Sequence, residues 1–358
     1  MYNLGKTGVL LINQGTPDSP AVTDVRKYLR EFLMDARVMD IPYLNRWLLV
    51  NLIIAPTRAP KSAKVYQELW TPQGSPLKVY GYEVAQQLQE SLGHKYVVKL
   101  GMRYQSPSIP DVLAEFKQQG ITKLVVIPLY PQYASATTGS ALQQVAEVVG
   151  NWQVAPELHT VQNFLSHPKF LEAFAENGRR QLAQEEYDHV VFTYHGLPER
   201  QLHKNDHVAN CHAANCTQAY NSLNQHCYRA QCYETSRLLA EQLGIAPADY
   251  TVAFQSRLGN APWIKPYTED VVEQLAKRGV KKVLAFAPSF IADCLETTVE
   301  VGREYRELFE EHGGETWHLV ESLNSSPLWI ECLHDLVLAA AGTAKIETEK
   351  HTYLGLTA

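Results

Sequence analysis

The sequence is poor in the features that mark specialised protein classes. Only six of its 358 residues are cysteine, too few for a disulfide scaffold. The longest apolar stretch, Trp47 to Ala55, is interrupted by Asn51 and cannot cross a bilayer. Near the N-terminus the apolar run extends only from Val9 to Ile12, short of a signal-peptide core. Positive charge is not in excess: 32 Lys and Arg face 38 Asp and Glu, a formal net charge of −6. That balance offers no general attraction to nucleic-acid backbones, so a nucleic-acid partner is not expected. No Gly-x-Gly-x-x-Gly follows a strand pattern and no Walker-type Gly-Lys-Ser/Thr occurs, which leaves a nucleotide cofactor unsupported. His-Glu-x-x-His and Gly-x-Ser-x-Gly are missing too, against zinc-protease and serine-hydrolase chemistry. What remains is a soluble, cytoplasmic globular protein with reduced cysteines, long enough for about two domains.

Short apolar runs do occur, at 8–13, 96–101, 123–128, 152–158, 189–194, 250–255, 282–287 and 316–320. Most are near-continuous in Val, Ile, Leu and Phe, as in parallel strands covered on both faces. Helical patterns lie between them at 108–119, 140–149, 168–183, 234–243, 268–278 and 295–312. The alternation predicts an α/β fold with right-handed crossovers. The chain also repeats itself: GVLLINQGTP, from Gly8, matches HVVFTYHGLP, from His189, and GITKLVVIPLYP, from Gly120, matches GVKKVLAFAPSF, from Gly279. Two similar Rossmann-like domains follow, each with a mainly four-stranded parallel sheet: residues 1–160 and 161–323. Residues 324–358 form a C-terminal helix and tail packing back on the first domain.

Two regions break the pattern. Residues 43–70 carry apolar side chains on too many sides for a simple surface helix, compatible with core, a cleft lip or a membrane-touching patch. Residues 199–232, rich in His, Asn and Gln, read as an inserted loop carrying a special site.

His195 ends a predicted central strand, where open α/β sheets place their sites, and histidine either exchanges protons near neutral pH or binds metal. A structural histidine bonded to a turn carbonyl is the alternative. Asp293, Glu296 and Glu300 are spaced to share one helical face, and Asp293-x-x-Glu296 also has capping-box spacing. Arg58, Arg103, Tyr104, Tyr130, Tyr133 and Trp263 gather near other strand ends, either as half-buried packing or as a holder for a flat ligand bearing carboxylates.

At these residues the sequence resembles the ferrochelatases, which insert ferrous iron into a porphyrin. GVLLINQGTPDSP, YPQYASATTGS, FTYHGLP, FQSRLGNAPWIKP and PSFIADCLET resemble family signatures in family order, over nearly the whole chain. The resemblance implies a two-domain Rossmann-like chelatase acting on Fe²⁺ and protoporphyrin IX. Coproporphyrin, another metal and tetrapyrrole, or a non-catalytic carrier are the competing readings. It further implies His195 and Glu296 as catalytic and metal-facing residues, with Asp293 and Glu300 on an acidic path. Asn13, Arg58, Ser75, Arg103, Tyr104, Tyr130 and Trp263 become porphyrin-binding positions, and 43–70 a pocket lip with peripheral contact at the inner face of the membrane. Position 294 is Cys where many relatives carry His. Ser135 stands where animal enzymes have a cluster cysteine, and only Cys332 lies in the C-terminal stretch, so the animal-type cluster is not expected. No oligomeric state is specified.

Cys211, Cys216, Cys227 and Cys232 fall within one short segment, enough thiols for a 2Fe–2S cluster or, with neighbouring histidines, a zinc site. Some bacterial ferrochelatases resemble this chain in carrying such a segment, which makes 2Fe–2S the expected cofactor and zinc the alternative.

Overall fold

The computed structural model describes residues 5–204, 216–257, 259 and 261–342. Eight strands build two sheets. The first holds β1 (Thr7–Gly15), β2 (Tyr96–Tyr104), β3 (Lys123–Pro128) and β4 (Glu157–Thr160). The second holds β5 (His189–His195), β6 (Tyr250–Gln255), β7 (Lys282–Phe286) and β8 (Thr316–Leu319). All pairings are parallel, and the orders β2-β1-β3-β4 and β6-β5-β7-β8 repeat one topology. The predicted architecture, two similar four-stranded α/β sheets, is therefore the observed one.

The strand sequences account for their own burial. In β1, Val9 and Leu11 enter one apolar cluster while Leu10 and Ile12 enter another, because successive side chains point to opposite faces. Helices cover both faces, so the apolar run need not alternate. The first cluster also joins the halves: Leu11 and Ile127 of one sheet and Phe192 and Phe286 of the other belong to it. Between them lie the helices Pro168–Leu182 and Pro327–Ala340, contributing Phe170, Phe174, Trp329 and Leu333. A Cβ on Gly178 would come within 2.6 Å of Phe286, so the Pro168–Leu182 helix lies directly on the second sheet. The Pro327–Ala340 helix reaches back to the first half, where Ser325 Oγ donates to Glu83 at 2.9 Å.

Two local expectations are corrected, and the segment at 43–70 takes a definite form. The strand read at 152–158 is a turn followed by β4, which starts at Glu157 because Pro156 has no N–H and the ladder begins with Glu157 N donating to Thr122 O. Val154 is 82% exposed, and Trp152 packs beside Lys117 at a helix end rather than in the sheet. The segment at 199–232 is not all loop: Glu199–His203 is helical, and the helix expected at 234 begins at Tyr228. Finally, 43–70 is helical throughout as Tyr43–Leu48, a wider π-type stretch Leu49–Ile54, and Ala55–Leu69. One side (Val50, Ala55, Ala59, Ala63) is buried; Tyr43, Leu44, Trp47, Leu48, Leu52 and Ile53 are exposed.

Candidate active site

Each sheet reverses its strand sequence at a central pair, β1/β3 and β5/β7. Such switch points open a crevice beyond the carboxyl ends of the strands. Glycine is required at both central ends. Gly15 has φ +107°, and a Cβ there would lie 1.9 Å from the Tyr104 carbonyl oxygen. A Cβ on Gly196 would lie 2.9 Å from the Gln255 carbonyl oxygen.

His195, the last residue of β5, is half-buried at the second of these ends. Its Nδ1 lies 2.7 Å from the Gly196 carbonyl oxygen. A carbonyl only accepts, so Nδ1 carries a proton, and in the neutral imidazole Nε2 then presents a lone pair. The rings of Trp263 and Phe290 flank the imidazole, each centroid 6.5 Å away. Gln255, paired with His195 in the sheet, donates from Nε2 to the Glu296 carbonyl (3.1 Å) and the Glu300 carboxylate (3.3 Å). The acid-bearing helix is thereby tied to the strand beside the histidine.

Asp293 does not share a helical face with Glu296 and Glu300 as the spacing predicted. The helix starts at Leu295 and runs in a π-type turn to Glu304, with extended backbone at Cys294. The capping pair is Cys294 with Thr297, not Asp293 with Glu296; Asp293 stands before the helix and exchanges hydrogen bonds with Asn324, both 2.9 Å. Glu300 is committed as well: it accepts from Ser256 N (2.9 Å), Ser256 Oγ (2.5 Å) and Tyr305 Oη (2.8 Å), holding Ser256 at φ +66°. Glu296 keeps its place near the Cys294 thiol and the hydroxyls of Tyr28 and Tyr66. Burial first, then the nearby Glu296 carboxylate, push the Cys294 thiol well above its ordinary range.

The other wall comes from the first half. Arg103 donates from Nε to Ser140 Oγ and from Nη2 to Asp35 Oδ2, both 2.6 Å, and lies over the Tyr104 ring. Tyr104 Oη and Ser140 Oγ also donate to Asp35 Oδ2, at 2.9 and 2.5 Å. From here aromatic rings run in contact through Tyr104, Phe32, Tyr28, Tyr66 and Trp70. Burial raises the Tyr28 and Tyr130 phenols well above their usual range, so both remain donors. Asn13 is buried at the end of β1. Ser75, also buried, accepts from Thr16 Oγ1 at 2.9 Å. Arg58 is exposed on the Ala55–Leu69 helix and makes no hydrogen bond or ion pair among the described residues. Ion pairs span the cleft at two places: Glu68 with Arg303, and Asp40 with Arg200 (2.6 Å) and Lys204 (2.7 Å). Desolvation would raise Asp40, but its bonds to Arg200 and Lys204 prevail and hold it at about 2.

Tyr28, Tyr66, Asp35 and Gln255 were not anticipated. Gln255 sits in the FQSRLGNAPWIKP signature beside Trp263, but Tyr28, Tyr66 and Asp35 lie outside the quoted signatures. Tyr28 lies midway along the helix Val22–Met34 and Asp35 caps its C-terminus, away from any strand end.

Three of the four segment cysteines lie among the described residues. Cys211 lies outside the described residues. Cys216 Sγ accepts from Arg229 Nη2 at 3.0 Å, and Cys227 precedes the first residue of the Tyr228–Leu243 helix. Cys232 is fully buried beside the Tyr228 hydroxyl, and burial raises its thiol well above the usual range. Among the described residues no three His, Cys, Asp or Glu side chains are disposed to hold a metal ion.

Comparison with known proteins agrees with this arrangement. The Ferrochelatase family model matches residues 6–341. A ferrochelatase of Legionella pneumophila (strain Paris) is 44% identical over 332 residues, covering 93% of this chain and 98% of that protein. One from Coxiella burnetii (strain Dugway 5J108-111) is also 44% identical, over 92% of this chain and 93% of that protein. Among solved structures, SirB from Bacillus subtilis with Fe³⁺ shares the fold with a TM-score of 0.54 at 13% identity, over 94% of this chain and 97% of that one. With this match spanning both sheets and every residue of the cleft, the chain belongs to the ferrochelatase family, enzymes that insert a metal ion into a porphyrin.

Proposed function

We propose that the chain inserts Fe²⁺ into protoporphyrin IX, releasing two protons and yielding protohaem, the terminal step of haem synthesis. The observation that carries this reading is the contact of His195 Nδ1 with the Gly196 carbonyl oxygen: it puts a proton on Nδ1, so that the neutral imidazole keeps Nε2 as a proton acceptor. Metal insertion requires removal of two pyrrole N–H protons, and bending the macrocycle turns the nitrogen lone pairs out of plane. Rigid walls complementary to a bent ring favour that transition state over the flat substrate. Trp263 and Phe290 on one side and the Tyr28–Tyr66 run on the other supply apolar walls. His195 takes a pyrrole proton, and Glu296 receives protons or assists the incoming Fe²⁺. Arg58, exposed and unpaired among the described residues, suits a propionate at the mouth.

Anaerobic mixing of Fe²⁺ with protoporphyrin IX tests this. Porphyrin fluorescence should fall as haem absorbance rises, faster than with coproporphyrin and faster than Co²⁺ or Ni²⁺ insertion. Tight porphyrin binding without turnover would make the protein a carrier; faster turnover of coproporphyrin would reassign the substrate.

The exposed apolar face of the lip supports peripheral membrane contact, as a route for an apolar substrate and product. No described helix is long and apolar enough to cross a membrane. The protein should therefore co-sediment with anionic lipid vesicles, and Trp47→Glu with Leu52→Glu should abolish this without lowering turnover of detergent-dispersed porphyrin. Equal sedimentation of both proteins would refute the contact.

A further inference from the structure

We infer that Tyr228 is a positioning residue for His195: its hydroxyl donates to the His195 backbone carbonyl at 2.9 Å and fixes the peptide from which the imidazole projects. The inference rests on the reading of His195 as the proton acceptor.

The sheet explains why this carbonyl needs a partner. Gly196 N donates toward β6, to Gln255 O at 2.8 Å. Backbone groups alternate sides along a strand, so the His195 carbonyl faces the opposite side, toward β7. There the pairing has already ended, at Phe192 with Phe286. The carbonyl would lack a ladder donor, and Tyr228 supplies one. The adjoining Gly196 has no side chain to restrain rotation, yet its carbonyl is what selects the His195 tautomer. The bonds from Tyr228 to the His195 carbonyl and from Gly196 N to Gln255 O hold both ends of the His195–Gly196 peptide, which leads directly into the Gly196 carbonyl.

The mount is stiff. Tyr228 is 7% exposed and opens the Tyr228–Leu243 helix. That helix is bolted to both halves through buried polar contacts. Gln231 Oε1 accepts from Tyr133 N (2.7 Å), Thr235 Oγ1 accepts from Gln132 Nε2 (3.0 Å), and Ser236 Oγ bonds Tyr194 Oη (2.8 Å). Cys232, one turn after Tyr228 and beside its hydroxyl, packs as part of this mount. Cys232 thus has a structural place behind the histidine.

Tyr228→Phe keeps the ring and deletes the donor. It should lower kcat for Fe²⁺ insertion about tenfold, since small displacements of a reacting group carry large rate penalties. The porphyrin KM and the porphyrin-binding stoichiometry should stay unchanged, which rules out loss of folded protein. In ¹⁵N-histidine-labelled protein the His195 signal, assigned by its absence in His195→Ala, should show one Nδ1–H tautomer in the wild type and a mixture in Tyr228→Phe. p-Aminophenylalanine at position 228 restores a donor and should restore both rate and tautomer, while Cys232→Ala should leave kcat within about twofold. A Tyr228→Phe protein with wild-type kcat and unchanged His195 signals would overturn the inference, as would failure of the amino analogue to restore them in folded protein. If Tyr228→Phe does not fold, the amino analogue alone carries the test on the same two readouts. Turnover by His195→Ala would instead remove the underlying reading; an inactive His195→Ala beside a fully active Tyr228→Phe sinks only the role of Tyr228.

Discussion

His195→Ala should lose turnover of Fe²⁺ and protoporphyrin by about 10²–10⁴-fold, the range a positioned general base contributes, while binding porphyrin within about twofold of wild type. The split follows from how the side chain is held. Among the described residues its side-chain hydrogen bond runs to the neighbouring Gly196 carbonyl, so removing it breaks no distant hydrogen bond there. The Trp263 and Phe290 rings are anchored elsewhere, Trp263 through its bridge to Pro198, and persist as walls. Porphyrin affinity therefore reports the walls, and kcat reports the acceptor. Quenching of porphyrin fluorescence gives the first and anaerobic haem formation the second. Near wild-type turnover by the variant would refute the assignment, and a parallel loss of porphyrin affinity would make His195 a wall residue rather than a base.

The same geometry narrows what the acids can do. Three carboxylates three and four residues apart suggest a conducting stripe. In the structure Asp293 is exchanged with Asn324, and Glu300 is spent on the Ser256 turn and Tyr305. Glu296, adjoining Tyr28 and Tyr66 of the first half, is placed to meet a ligand between the domains.

The fold was legible where periodicity is strong. Apolar runs ending in Gly-x-Pro marked the central strands because a buried parallel strand needs continuous hydrophobics and its end needs a residue without Cβ. His195 was legible for the same reason: its position was fixed by the strand before it. β4 was misplaced because Trp152 and Val154 are good strand formers locally, whereas Pro156 decides where pairing can start. The Asp293–Glu296 cap failed because Cys294 and Thr297, within the same few residues, satisfy the helix start instead. Partners from remote segments were the least legible. Spacing gives no sign that Asp35 would meet Arg103 and Ser140, or Tyr28 meet Glu296, because the first depends on packing within the first half and the second on packing across the cleft.

Asp35→Ala should destabilise the protein by about 3–5 kcal/mol, the cost typical of removing one partner from a buried ion pair. Its side chain is 7% exposed and that of Arg103 20%, so solvent screens the pair weakly. The carboxylate accepts from Arg37 N, Arg103, Tyr104 and Ser140, and its loss strands a guanidinium and two buried hydroxyls at once. Asp35→Asn, which keeps an acceptor oxygen, should cost less. Urea unfolding measures both, and an Ala variant within about 0.5 kcal/mol of wild type would show that the network carries no net stability. Acid titration gives an independent reading. Burial raises the Asp35 carboxyl, but hydrogen bonds from Ser140 and Arg37 N, the Arg103 charge and the Tyr104 hydroxyl outweigh it and hold it below the usual carboxylate range. A depressed carboxylate contributes stability above its unfolded value, about 3.9, and loses it as pH falls through the folded value. Wild type should therefore lose stability below about pH 4 more steeply than Asp35→Ala, and the gap between them should shrink with acid. Porphyrin affinity closes the argument: because Arg103 is oriented by Asp35, the Ala variant should bind porphyrin more weakly even where it remains folded, and unchanged binding would assign Arg103 to the scaffold alone.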